Sequence, residues 1–489
     1  MPRPAHPCKA EPCLTNKYER CRFKLLSSHH YCSVEYFTME TASICDKLTR
    51  TSVEESGHQS NLRKRARQII AHRGKDNSNL PEVLLDLLTT VIKPLFAASR
   101  NAALTSSGRK NLVPQAPATG RFDSSFLDDD AKPWKNGWTV DLLTYILTSY
   151  SGVCDTQQRN TIEAHFHLLV PPILNLIDDG ETVYKADGCR LLRLLCDVVK
   201  GCRSDIFKRT GLTDVFVDAL RTNFMVLPTL TPEQESLALM QELYPAYRAL
   251  VAARFPMHVV DNNDKVTPLP PSSGTAASSK TTTSPFSISS QRSGPPAVQD
   301  AAESQVRQSL LDILLLQGLL AALSHLGAGT SSSSTISLTL TTYLISQLTP
   351  TVSDMGISTV KHLQTLLPLL RNILSDPFGA VAPRLLLEAL ATLDVIIAGP
   401  CRPRIQDRWW PECLRALVAC WCVVIDELED ENENSSRGQN EDKVRELHAV
   451  KTKLQDVTAR LGGVVGRDFM DAKNRLIEEE TDLEGLFRD

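Results

Sequence analysis

Apolar residues recur at helical spacing along most of the chain, and the clearest stretch is 165–199. Ile162, Phe166, Leu169, Ile173 and Ile177 share one face on its incoming side; Leu191, Leu194 or Leu195, and Val198 share another on its outgoing side. The polar residues Asp178, Asp179, Gly180, Glu181 and Thr182 separate the two runs. This pattern predicts a hairpin of two antiparallel helices. Pro171 and Pro172 fall inside the first helix, where each removes a backbone donor and crowds the preceding turn, so that helix is expected to bend.

The same period continues on both sides of the hairpin. Helices are predicted over 60–75, 80–98, 138–150, 205–224, 231–254, 305–326, 337–348, 409–428, 441–461 and 467–487. Thr231, Pro232 and Gln234 read as the start of one of them: a capping hydroxyl, a proline at the first helical position and an amide at the third. A second hairpin is expected around Pro368, with Asp376 eight residues later, the interval that separates Pro171 from Asp179. Ala382 stands where Lys185 stood in the first. A proline, an aspartate and then a cation at these intervals is the spacing of a HEAT-type repeat. Two such units far apart in one chain predict an all-α fold, an irregular HEAT/armadillo-like helical-repeat solenoid, in which each hairpin buries its face on its neighbours.

Breaks in the pattern divide the chain. Residues 1–59 read as a disordered leader, with Met39 a plausible true start, and 60–260 as an N-terminal helical-repeat part. In 267–296, 22 of 30 residues are Ser, Thr, Pro or Gly, too polar to offset chain entropy by burial, so 261–303 is expected to be a disordered linker. A C-terminal repeat part, 304–428, an acidic linker, 429–440, and terminal helices, 441–489, complete the division. Residues 99–137 are expected to form a long, partly ordered loop, parts of which dock on the surface through Phe122, Phe126, Leu127 and Trp134. The apolar end Leu483 to Phe487 either caps the stack or meets a partner.

Composition narrows the function classes. Net charge is −4 and the isoelectric point about 6.3, which gives no global attraction to nucleic acid or an anionic membrane. The longest apolar run, 313–326, is short of a membrane span and is broken by Gln317 and His325, so no membrane partner is expected. Thirteen cysteines form an odd set with no signal peptide ahead of them, which points to a reducing compartment. Cys189, Cys196, Cys413, Cys420 and Cys422 read as packing residues. Cys8, Cys13, Cys21 and Cys32 with His29 and His30 are metal-capable but lack the paired spacing of structural zinc sites.

No fixed-spacing catalytic signature is present. There is no phosphate-binding loop, no nucleophile elbow and no C-x-x-C pair; Gly462, Gly463 and Gly466 lack the strand that a dinucleotide site needs. Asp376-Pro377-Phe378-Gly379 matches a kinase metal motif only in letters. His165 and His167, two apart on a helix, point to different sides and cannot share a metal. The basic run Arg63, Lys64, Arg65, Arg67, Arg73 and Lys75 reads as the solvated face of a helix, with nuclear import as its other reading. The acidic run Asp426 to Glu433 reads as a solvated linker, with a basic partner as its other reading. Asp178, Asp179 and Lys185 are either a charged ridge for a partner or structural: Asp179 accepting backbone N–H groups at the next helix, Lys185 reaching carboxylates of the adjacent hairpin.

The stretches Pro171-Pro172-Ile173-Leu174, Ile177-Asp178-Asp179, Tyr184-Lys185-Ala186-Asp187-Gly188-Cys189 and Leu191-Leu192, with Pro133-Trp134-Lys135, resemble the TELO-two-interacting protein two family, the small helical-repeat subunit of the TTT co-chaperone complex. Thr231 to Tyr247 and Leu483 to Phe487 are similar too, so the resemblance covers most of 80–487 without the leader or the linker. It implies a scaffold with no catalytic, cofactor or metal residues, cytoplasmic and nuclear. Its implied partners are the two larger helical-repeat TTT subunits and, through them, phosphatidylinositol-kinase-related (PIKK) kinases and the ninety-kilodalton heat-shock chaperone. Two other classes stay in competition: another HEAT or armadillo scaffold, such as a transport or phosphatase adaptor, and an uncharted enzyme or zinc protein that uses the cysteine-rich leader.

Overall fold

The computed structural model describes residues 43–49, 57–73, 79–97, 99, 104–105, 109–111, 132–153, 155–228, 231–255, 296–327, 337–433 and 441–487. The leader through Met39 with its cysteines and histidines, Phe122, Phe126 and Leu127, and all but the end of the Ser/Thr/Pro-rich linker lie outside these residues. The described residues are helical, with one isolated bridge between Leu104 and Lys110. The fold is an all-α helical repeat, and the chain divides into two compact units: 1–178 with 190–212, and 179–189 with 213–489.

In the first unit, α1 (Gly57–Arg73) packs on α2 (80–95), and α2 on α4 (Asp155–Ile177); α3 (Thr139–Ser149) precedes α4. Leu80, Leu84, Leu87, Leu88, Val91, Ile92 and Leu95 are all buried along α2, a stripe dense enough to hold the helix through a π turn at Leu88–Ile92. On α1 the exposed Lys64, Arg65 and Arg67 are the solvated face, whereas Arg63 is buried. Trp134 docks as expected: its ring stacks on Phe96 at 5.3 Å and its indole N–H donates to Ser99 Oγ at 2.9 Å. α4 runs unbroken through Pro171 and Pro172, because Leu169, Val170, Ile173, Leu174, Leu176 and Ile177 around them are all buried. Helix α5 (Thr182–Gly201) comes next, its later part in this unit, and there Leu195 and Val199 take the buried positions, one residue past the expected Val198.

The expected helix over 205–224 is two helices, α6 (Ile206–Thr210) and α7 (Leu212–Thr222). Gly211 between them has φ +64, a left-handed conformation that ends the first and re-aims the chain.

The second unit carries the repeat architecture. Its helices after α7 are α8 (Glu233–Arg254), α9 (296–325), α10 (Leu338–Met355), α11 (Leu363–Leu374), α12 (Pro383–Ala398), α13 (402–433), α14 (Glu441–Val465) and α15 (Arg467–Glu479). α8, α10, α12 and α14 lie parallel in one layer, as the paired positions rise together along them. Ser337 Oγ donates to Glu233 Oε1 at 2.6 Å and Tyr343 Oη to the Met240 carbonyl at 3.1 Å; Thr349 and Thr392 share a hydrogen bond at 2.9 Å. Arg384 meets Glu446 at 2.8 Å, and Asp394 meets Lys453 at 2.7 Å and Arg460 at 2.8 Å. α7, α9, α11 and α13 form the other layer, joined at Arg221 with Gln317 and Arg371 with Glu412. This is the two-layer order of stacked hairpins, with leucine cores between the layers.

Four expectations change here. The start of α8 has Pro232 in extended geometry (φ −54, ψ 140) as its cap, without a side-chain cap, so Thr231 lies one residue too early to serve. The acidic run is helical to Glu433, because Lys443 of α14 pairs with Glu427 and with Glu431 and so neutralises part of it; 434–440 lie outside the described residues. Cys422 is exposed while Cys413 and Cys420 are buried, since two residues along a helix turn away from the core face. Residues 301–325 have the length and apolarity to cross a membrane, yet Leu310, Leu311, Leu314, Leu315, Leu319 and Leu323 are buried as the core stripe of α9.

The chain end caps the stack. Leu483, Leu486 and Phe487 are buried, Trp421 Nε1 donates to the Asp482 carbonyl at 3.3 Å, and Gln455 Nε2 to that of Gly485 at 2.8 Å. A Cβ on Gly485 would stand 2.8 Å from the Trp421 ring, so only glycine lets this segment lie flat.

Candidate interaction surface

The first hairpin turn is built around Asp179, which is 3% exposed. Its Oδ1 accepts the Glu181 backbone N–H at 3.0 Å and so satisfies a donor just ahead of α5. Pro172, Gly188, Cys189, Leu191 and Leu192 are buried, and Pro171, Tyr184 and Lys185 are half-buried; Asp178 alone of the motif residues is exposed. Pro171, Pro172, Asp178, Leu191 and Leu192 belong to the first unit, and Asp179, Tyr184, Lys185, Gly188 and Cys189 to the second.

Lys185 Nζ donates to Asn223 Oδ1 at 2.7 Å, and Asn223 Nδ2 in turn donates to the Ala219 carbonyl at 3.2 Å. A neutral amide acceptor is thus one partner of Lys185. Asn223 is fully buried, so both ends of its amide are satisfied within the fold. Burial pushes the Cys189 thiol far up, with Glu242 adding to the effect against the opposing pull of Lys185. It is an inert packing group.

At the second hairpin the turn repeats in atomic detail. Asp376 Oδ1 accepts the Phe378 N–H at 3.0 Å, again from two residues ahead. The equivalence then fails. A 3-10 turn, Gly379–Val381, precedes α12, and Ala382 is the residue capping that helix, whereas Lys185 already lies inside α5. The extra turn leaves Phe378 69% and Val381 70% exposed.

Between α8, α10 and α12 lies an open groove of about 300 Å³, lined by Leu237, Gln241, Thr342, Tyr343, Leu387 and Glu388 among others. Burial raises the Glu388 carboxyl above its ordinary range. Sequence reasoning missed this groove, because its residues come from three helices and only the parallel layer brings them together.

Elsewhere several polar groups are consumed by the fold. In the first unit burial pulls Glu163 upward, but hydrogen bonds from Ser204, Arg159 and Arg209 outweigh it and hold its carboxyl low. His165 and His167 do point apart: His167 is exposed, and His165 is buried with Nδ1 2.8 Å from Tyr150 Oη. Burial first, then the nearby His167, lowers His165 to about 4. Burial raises Cys413 and Cys420 to about 12. Among the described residues no group of three His, Cys, Asp or Glu side chains could hold a metal ion.

A stack of parallel-layered hairpins whose singled-out residues serve turns and cores is the build of a helical-repeat scaffold. The chain belongs to the Tti2 family, whose sequence model matches residues 31–381. That family is one of co-chaperone subunits of the TTT complex and is not known for catalysis. The matched span begins ahead of Met39 and ends before α12, so it takes in part of the leader and the linker and leaves out the terminal helices, unlike the 80–487 expected from the motifs. No curated protein and no solved structure matches the chain.

Proposed function

We propose that this protein is the non-catalytic scaffold subunit of the TTT complex. In that role it binds the two larger helical-repeat subunits and, with them and the ninety-kilodalton heat-shock chaperone, supports the maturation and stability of the PIKK kinases of growth and DNA-damage signalling. It works in the cytoplasm and the nucleus. The family match over residues 31–381 carries this reading. The layered hairpins support it, since stacked repeats offer long surfaces to large partners without needing an active site. The nearest competitor is another helical-repeat adaptor, for transport or for a phosphatase.

Depletion of the protein, with kinase abundance read by quantitative mass spectrometry, tests the proposal. PIKK kinases are expected to fall severalfold together, while protein kinases of other classes hold their level and re-expression restores the loss. Unchanged PIKK abundance after complete depletion would overturn it.

A further inference from the structure

The groove between α8, α10 and α12 holds an unspent charge. Two other acids of that layer have cations: Glu446 has Arg384, and Asp394 has Lys453 and Arg460. Glu388 is half-buried, and among the described residues no Lys or Arg nitrogen lies within ion-pair distance of its carboxylate. Arg384, one helical turn before it and also lining the groove, is taken by Glu446. A carboxylate removed from water without a partner is held at a free-energy cost that an incoming cation relieves.

The rest of the lining suits a side chain that carries such a cation on an aliphatic stem. Leu237 and Leu387 supply apolar walls for the stem, as lysine and arginine stems favour. Thr342 Oγ1 donates to the Leu338 carbonyl, which leaves its lone pairs for a backbone N–H, while Ser346 Oγ donates to the Tyr343 carbonyl and accepts from the Gln347 amide. Gln241 offers an amide from the facing helix. At about 300 Å³ the groove stands at the lower limit of ligand sites and is open, so it fits one anchored side chain and its flanking backbone.

We propose that this groove docks an extended segment of a partner protein, presenting a lysine or arginine side chain to Glu388. The proposal deepens the scaffold reading and rests on it for the kind of partner. It supplies one defined anchor point within the second unit.

The test uses the full chain and an array of short peptides tiling the larger TTT subunits, each also synthesised with its lysines and arginines replaced by norleucine. Wild type is expected to bind a subset of cationic peptides and to lose them on norleucine replacement. Glu388→Gln should weaken that binding about tenfold, and Glu388→Lys or the groove-filling Thr342→Trp should abolish it, with melting temperatures unchanged. Equal binding of the norleucine peptides, full binding by Glu388→Lys, or no peptide bound by wild type would overturn the groove assignment. If cationic peptides bind but the chain recovers no TTT subunits from cells, the groove stands and the complex reading falls. If Glu388→Lys recovers the subunits undiminished, the complex reading stands and the groove falls as its anchor.

Discussion

The hairpin turns at Asp179 and Asp376 begin alike and end differently. In both, an aspartate eight residues after a helix-interior proline accepts the N–H two residues ahead. After Asp179 the next helix starts at once, and Lys185 inside it is held by the buried Asn223. After Asp376 a 3-10 turn intervenes, the cation is absent, and Phe378 and Val381 stand in solvent. The shared aspartate is therefore the architectural part of the repeat. The residues after it are free to vary, and in the first hairpin they are committed to the fold.

That contrast breaks first in the cores beside the two turns. Leu192→Ala and Leu386→Ala should each cost about 2–5 kcal/mol, read as loss of stability in urea, because both side chains are buried and their neighbours cannot collapse fully. If either costs under about 1 kcal/mol, that hairpin is not packed as described. Next come the aspartates. Asp179→Ala should cost about 1–3 kcal/mol and Asp376→Ala about 0.5–1 kcal/mol, since Asp179 is buried and its bond to the Glu181 N–H part-buried, whereas the Asp376 bond is exposed. Equal melting-temperature losses would erase the distinction.

Below these, Lys185→Met should cost about 1 kcal/mol by removing the hydrogen bond to Asn223, while the double change Phe378→Ser with Val381→Ser should move the melting temperature little, within about 0.5 kcal/mol. A large loss from the exposed pair would mean that it packs against something.

The first unit adds a pH dependence. Unfolding returns His165 to its ordinary value near 6.5, so between there and about 4 the unfolded chain binds a proton that the folded chain refuses. Stability contributed by neutral His165 is present above pH 6.5 and is lost as pH falls toward 4, at a slope of at most about 1.4 kcal/mol per pH unit. His165→Gln should flatten that part of a melting-temperature profile; an identical slope would place the proton elsewhere.

The sequence revealed most of the helices and both aspartate turns, because apolar period and helix punctuation are local. Lys185 was recognisable as a cation near a helix start, but its partner Asn223 was not, since that contact depends on how α7 ends against α5. Thr231 misled because Pro232 fits both the cap and the first helical position. The stop at Gly211 was visible as a glycine but sat inside an uninterrupted apolar pattern. The acidic run looked too charged to stay helical until Lys443 was placed beside it. Glu388 carried no signal at all, as a lone glutamate on a leucine-rich helix becomes distinctive only when two other helices bracket it.

The most direct test of the scaffold role is purification of the tagged full chain from cells at near-physiological salt, with the mass and composition of the recovered assembly determined. A complex containing the two larger TTT subunits in defined stoichiometry is expected, with PIKK kinases and the heat-shock chaperone in lesser amounts. Recovery of transport receptors or phosphatase subunits in their place, or of the chain alone, would contradict that role.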